Sequence, residues 1–93
     1  VPKDDKEAVK WYRKAAEQGS PVAQRSLGAM YANGAGVLED DVTAYAWFKI
    51  AAANISFFED YKDRLAKELT PDQIAKAEAL AKAMIKKNPK LLK

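Results

Sequence analysis

The chain has 93 residues, 48% of them apolar and 31% charged, which suits one small folded domain and argues against a disordered or fibrous chain. Its net charge of +3 is too small to require nucleic acid or anionic lipid as a partner. The absence of Cys and His excludes disulfides, thiol nucleophiles, zinc sites with their usual ligands and histidine-dependent proton relays. No apolar run approaches the roughly 20 residues that a membrane helix needs.

The first two segments with helical periodicity run over about residues 4–18 and 21–33. In the first, apolar residues recur at i, i+3, i+4, i+7 and i+8 and so share one stripe: Ala8, Trp11, Tyr12, Ala15 and Ala16. In the second, Ser20 offers a capping hydroxyl and Pro21 suits the first helical turn. The stripe of this second helix consists of Ala23, Leu27, Met30 and Tyr31.

Glycines mark the middle and the end of the second helix. Gly28 lies in mid-helix and costs about 1 kcal/mol relative to Ala, so we expect a packing reason for it. The turn Asn33-Gly34-Ala35-Gly36 ends the helix with residues that readily adopt positive φ, and it lacks the Lys-Ser/Thr pair of a phosphate-binding loop.

The third segment, about residues 40–54, repeats the first at a shift of 36 residues, with Asp40 or Asp41 as its cap. Trp47 corresponds to Trp11, and the full stripe is Ala44, Trp47, Phe48, Ala51 and Ala52. A repeat of this length is typical of stacked helical hairpins. Tyr45 lies off the stripe, which predicts a place on the surface or against the next repeat.

Two further helices are predicted over 56–69 and 71–87, each preceded by a capping-box pattern: Ser56-Phe57-Phe58-Glu59 and Thr70-Pro71-Asp72-Gln73. Strand alternation is absent and the loops are short, so consecutive helices should be antiparallel neighbours. The predicted fold class is all-α, an α-α superhelix (solenoid) of antiparallel helix pairs with about five helices. Most aromatic residues, including both tryptophans, are expected in the core, and the tail after Asn88-Pro89 should be frayed.

One stretch of residues resembles a known repeat. The order Ala23-Gln24-x-x-Leu27-Gly28-x-Met30-Tyr31-x-Asn33-Gly34-x-Gly36-Val37-x-x-Asp40, followed by Ala44-x-x-Trp47-Phe48-x-x-Ala51-Ala52, is similar to a Sel1-like repeat, a relative of the tetratricopeptide repeats. Residues 71–85 resemble the helix that often closes bacterial arrays of this family. The resemblance implies a solenoid scaffold with no cofactor that binds a partner protein or peptide, in a cytoplasmic or an exported setting.

The resemblance also implies a domain organisation. Residues 1–55 would hold Sel1-like repeats, with 1–19 as the second helix of an upstream repeat and 20–55 as one full repeat. Residues 56–93 would form C-terminal capping helices and a basic tail, because Lys62 stands where Gly28 stood one repeat earlier. We expect further repeats upstream, without which one side of Trp11 is uncovered and the chain could self-associate.

In this family the first helices of the repeats line a concave face, and the resemblance carries that face onto two helices of this chain. It implies six partner-binding residues: Arg25, Ala29, Ala32, Asn33, Glu59 and Asp63.

Two alternative functions follow from other features. The basic C-terminus could bind nucleic acid or an anionic membrane, although cations are also what a helix dipole favours there: Lys82, Lys86, Lys87, Lys90 and Lys93. Nucleic acid is not the expected partner. Some Cys-rich members of the family have been linked with β-lactam hydrolysis or penicillin binding, but this chain has no Cys and no Ser-x-x-Lys arrangement. It is therefore expected to be non-catalytic, on its own or as part of a larger enzyme, with no catalytic or metal-binding residue.

Overall fold

In the computed structural model, which describes residues 4–92, the chain folds into five α-helices and two short 3-10 turns without any strand. The helices are α1 (Asp5–Glu17), α2 (Pro21–Asn33), α3 (Asp41–Asn54), α4 (Glu59–Ala66) and α5 (Pro71–Lys87). The 3-10 turns are Ser56–Phe58 and Pro89–Leu91. The all-α prediction is confirmed, and only the fourth helix differs from its expected bounds by more than one residue.

Side-chain caps explain where the first three helices begin. Asp4, Ser20 and Asp40 each have extended backbone and accept a hydrogen bond from the backbone N–H three residues later. Asp40, rather than Asp41, is therefore the cap of α3. At the other end of α2, Gly34 adopts φ +66° and lets the chain leave the helix in the left-handed conformation.

The two predicted capping boxes have different outcomes. Thr70 Oγ1 accepts from the backbone N–H of Gln73 at 3.1 Å, and Gln73 Oε1 accepts from the backbone N–H of Thr70 at 2.9 Å, so this box is complete. Ser56 makes no capping hydrogen bond. Only Ile55 separates α3 from the next turn, and burial of Phe58 draws residues 56–58 into a tight 3-10 turn. The prediction of a capping box at Ser56 is therefore wrong.

This difference provides a matched pair of variants. Thr70→Ala should lower the free energy of unfolding by about 1 kcal/mol, because it removes the N-cap of the longest helix. Ser56→Ala should change it by less than about 0.5 kcal/mol, because the Ser56 hydroxyl caps nothing. Urea denaturation followed by circular dichroism measures both values, and equal losses in the two variants would contradict the assignment.

The core is built around α3, in which eight of 14 residues are buried. One apolar cluster joins α1, α2, α3 and α5 around Leu27, Trp47, Ile50 and Ala81. The second joins α3, α4 and α5 around Tyr45, Phe48, Leu65 and Ala77, with residues of α2 at its edge. Because α3 has α2 on one side and α4 and α5 on the other, it is covered almost all round. No helix in the described part of the chain combines the length and apolarity of a membrane span.

The aromatic residues do not all enter this core. Trp47 is 4% exposed, whereas its repeat counterpart Trp11 is 68% exposed and Phe57 is 81% exposed. Trp11 lies on α1, which packs mainly on α2, while Trp47 lies on α3 with helices on both sides. For Phe57 the prediction of a place in the core is therefore wrong, whereas the exposure of Trp11 agrees with the expectation that one side of it is uncovered unless a further repeat packs against α1.

Tyr45 takes the second of its two expected places, against the next helix pair. It is 5% exposed and packs with Leu65 of α4 and Ala77 of α5. Burial raises the pKa of its hydroxyl, the carboxylates of Glu78 and Asp63 raise it further, and Lys62 opposes them.

The tail after α5 is docked rather than frayed. We call residues 88–92 the strap. Leu91 is 2% exposed, and its carbonyl accepts hydrogen bonds from Gln24 Nε2 at 2.9 Å and from Asn54 Nδ2 at 2.8 Å. Asn88 Nδ2 donates to the carbonyl of Glu17 at 3.0 Å. The expectation of a frayed tail is wrong, because the strap buries an apolar side chain and satisfies polar groups at the junction of α1, α2 and α3.

Candidate partner-binding surface

Four residues of α2 point inward, and they thereby determine which side of the helix faces outward. Ala23, Gln24, Leu27 and Gly28 are buried against α1 and α3. At helical periodicity the residues between them must point outward, and those at 22, 25, 26, 29 and 33 are partly or fully exposed. Four of the predicted partner-binding residues lie on this side of α2, at positions 25, 29, 32 and 33.

Arg25 is held in place by two aromatic rings from the next hairpin. Its guanidinium carbon lies 5.1 Å from the ring centroid of Tyr61 and 5.5 Å from that of Phe58. The two rings meet edge to face, with centroids 6.0 Å apart. A cation over aromatic faces is attracted by the ring quadrupole, so the side chain is oriented without an acidic partner. Within residues 4–92 no carboxylate pairs with Arg25, which leaves its charge available to a ligand.

The other α2 residues differ in how much surface they present. Ala29 and Ala32 are half-buried, and both pack at the edge of the second cluster. Asn33 is exposed at the last turn of α2, directly before Gly34.

Glu59 and Asp63 are exposed and lie one helical turn apart at the start of α4. Asp63 Oδ1 lies 3.9 Å from Lys62 Nζ, a contact of little energetic weight for a carboxylate that is 63% exposed. Neither carboxylate has a hydrogen bond or ion pair to α2 in the described part of the chain. Arg25 therefore contacts aromatic residues that lie near Glu59 in the sequence. The two carboxylates of α4 make no polar contact with Arg25 within the described residues.

Two residues of this surface were not anticipated as site residues. Phe58 is buried and Tyr61 half-buried, as expected for core aromatic residues, and together they also position Arg25. Their spacing of i, i+3 within the helix predicted over 56–69 was the available signal, since it places two rings on one face. The sequence alone could not show that the cation they meet comes from α2.

The basic residues of the alternative hypothesis lie apart from this surface, on α5 and the strap. Lys82, Lys86, Lys87 and Lys90 are exposed, and Lys93 lies outside the described residues. Lys86 and Lys87 lie in the last turn of α5 and Lys90 follows it, where the carbonyl end of the helix favours positive charge.

Antiparallel helix pairs that stack through small residues define the class of this protein, an α-solenoid. The family model described as "Sel1 repeat" matches residues 1–20 and 21–55, which is more than half of the chain. The chain belongs to the Sel1 repeat family. Sel1 repeats are protein-interaction modules, and the fold is that of a non-catalytic scaffold family.

Two similar proteins show this relationship in sequence and in structure. Over 52 residues, the chain is 40% identical to the chitin synthase regulator SKT5 of Saccharomyces cerevisiae, covering 56% of the chain and 8% of that protein. A crystal structure of c5321, a protective antigen of uropathogenic Escherichia coli strains with an SLR fold, matches 98% of the chain with a TM-score of 0.87 and 40% identity. The chain spans only 20% of that antigen chain. The fold prediction is thus confirmed by comparison as well as by architecture.

Proposed function

We propose that this chain is a protein-interaction module that binds an extended peptide or a partner helix along the face shared by α2 and the start of α4. The observation that carries the proposal is Arg25, a cation placed over Phe58 and Tyr61 with no carboxylate of residues 4–92 paired to it. An oriented charge on an aromatic support loses little side-chain entropy when a ligand binds. Aromatic and Arg side chains are also the residue types enriched at binding hot spots.

The proposal assigns different roles to the six residues. Arg25 and Asn33 supply polar contacts, and the half-buried Ala29 and Ala32 form a floor against which a ligand backbone can lie close. Glu59 and Asp63 form an acidic rim that favours a ligand with a basic residue at one end. The six residues are Arg25, Ala29, Ala32, Asn33, Glu59 and Asp63.

The proposed domain organisation follows from the same division of the chain. Residues 20–55 act as a full repeat, residues 1–19 as the second helix of a preceding repeat, and residues 56–93 as a cap. In a repeat array, affinity accumulates over several units, so this segment would contribute part of a longer binding surface. The yeast relative's printed role, regulator of a chitin synthase, supports this proposal because such a protein acts through another protein.

Site-specific photocrosslinking tests the proposed face. A benzoylphenylalanine at position 33 or 63 should yield the same discrete crosslinked protein in a lysate of the source organism. The matched control is position 53, an exposed alanine on α3. Arg25→Gln should weaken crosslinking at position 33 at least several-fold, because the ligand loses a charged contact. Crosslinks of equal yield from positions 33 and 53 would contradict the assignment of the face, provided that thermal melts show both proteins folded.

A further inference from the structure

A groove lies between α1, α2, α3, α5 and the strap. Its volume is about 520 Å³, within the range of sites that bind small ligands or single peptide segments. The apolar part of its lining comes from Tyr31, Trp47, Leu80, Met84 and Leu91. Trp47 and Leu91 are almost fully covered, so Tyr31, Leu80 and Met84 supply the accessible apolar surface. None of the residues assigned to the partner face lines this groove.

The polar groups of the groove are mostly hydrogen-bond donors. Arg13 Nη2 donates to the Tyr31 hydroxyl at 2.6 Å, and its guanidinium carbon lies 5.7 Å from the centroid of the same ring. This contact orients Arg13 while its other N–H groups remain open, and Tyr31 keeps its own O–H to donate. Lys87 adds a second cation at the rim. Neither cation is paired with a carboxylate within residues 4–92.

The lining also contains acceptors, and one of them, Glu17, lies on α1 one helical turn after Arg13. Glu17 contributes one side-chain carboxylate to the lining, and the Thr43 hydroxyl already donates to Asp40 Oδ2 at 2.7 Å. Glu17 and Thr43 can therefore accept hydrogen bonds from backbone N–H groups of a ligand. The lining therefore carries two cations and a phenol but one carboxylate. This balance favours a ligand that is negatively charged and also has N–H donors.

From this chemistry we infer a second docking surface: the groove takes an acidic peptide segment of a protein partner, with an aliphatic side chain on Tyr31, Leu80 and Met84 and a neighbouring carboxylate at Arg13 and Lys87. A peptide matches the groove in both charge and shape, since it supplies an apolar side chain, a carboxylate and backbone N–H groups within one short segment. A nucleic-acid backbone fits less well, because it would place phosphates against Glu17 and an apolar floor.

The strap is part of this surface. Asn88 and Leu91 line the groove, and Asn88 Nδ2 ties the strap to the carbonyl of Glu17 at 3.0 Å. The groove therefore forms only when the end of the chain is docked. Binding of a peptide in the groove requires α5 and the strap to be in place.

Selection with random 12-residue displayed peptides on the whole chain is the test. The chain carrying Arg25→Gln is selected in parallel, which makes the result independent of the proposed partner face. Both selections should enrich peptides with Asp or Glu next to Leu, Ile or Met. The most enriched peptide, synthesised with both ends blocked, should shift the backbone amide resonances of residues 13–17 and 80–91 in ¹H–¹⁵N spectra.

Lys86 and Lys87 form the matched pair. Both are exposed lysines in the last turn of α5, but only Lys87 lines the groove. Lys87→Gln should raise the Kd of the enriched peptide about two- to fivefold, as expected for one exposed charge contact, and Lys86→Gln should leave it unchanged. Three outcomes would each overturn the inference: no enrichment of acidic-aliphatic peptides, equal effects of the two variants, or displacement of the peptide by an equimolar single-stranded oligonucleotide.

Discussion

Ending the chain at Lys87 is expected to lower the free energy of unfolding by about 3–5 kcal/mol. The truncation removes Leu91, a side chain that is 2% exposed, from the cluster around Leu27 and Trp47. It also removes a carbonyl that accepts from both Gln24 and Asn54. Thermal and urea unfolding of the truncated chain against the full chain give the value directly.

One point variant measures the apolar part of this loss in stability, and a second serves as its control. Leu91→Ala keeps the backbone carbonyl and should cost about 2–4 kcal/mol through the cavity it leaves. Leu92→Ala is the control, because Leu92 is 39% exposed and should cost less than about 1 kcal/mol. If truncation and Leu92→Ala had similarly small effects, the strap would not be docked as described.

The hydrogen bonds at the same junction help to determine the position in which the strap docks. Gln24 is 0% exposed, so its amide needs partners inside the protein. Its Nε2 donates to the carbonyls of Ala16 at 3.1 Å and Leu91 at 2.9 Å, and its Oε1 accepts from Asn54 Nδ2 at 2.9 Å. Displacing the strap would open the Leu91 side of this network to solvent. Because these hydrogen bonds have fixed geometry, they add specificity to the apolar contact of Leu91.

Gly28→Ala is the second variant with a large expected effect, a loss of about 1–3 kcal/mol in the free energy of unfolding. A Cβ at this position would lie 2.8 Å from Cδ1 and Cε1 of Phe48 and 3.1 Å from the carbonyl oxygen of Ala44. Helix propensity alone predicts a gain of about 1 kcal/mol for the same change. The steric term decides the sign, because the Phe48 ring also packs against Tyr61, with centroids 5.9 Å apart, and cannot move away freely. Urea unfolding measures the loss.

A double variant tests that the loss arises from this contact. Phe48→Leu removes ring atoms that the new methyl group would meet, so Gly28→Ala should be less destabilising in that background than in the native chain. The difference between the two losses is a coupling energy of about 0.5–3 kcal/mol, as expected for residues in contact. Equal losses in both backgrounds would show that the glycine serves some other purpose.

Local signals in the sequence determined the elements and their order. Helical stripes, proline and glycine positions and three of the capping side chains act within one or two turns, so they place α1, α2, α3 and α5 within one residue of their observed bounds. The period of 36 residues likewise determined the stacking of hairpins, because each helix pair must cover its apolar stripe with the next. That Arg25 lies on the outer side of α2 was implied by the resemblance to Sel1-like repeats.

The tertiary structure decided which residues are buried among those whose positions in the sequence look equivalent. Trp11 and Trp47 hold equivalent positions, yet one is exposed and the other buried, because α3 has helices on both sides and α1 packs mainly on α2. Leu91 lies beyond the last periodic stripe, and its burial arises from contacts with segments 37 to 67 residues earlier, around Asn54 and Gln24. Arg25 likewise meets Phe58 and Tyr61 only after folding. Burial depends on which surfaces meet in space, and periodicity within one segment carries no information about its partners.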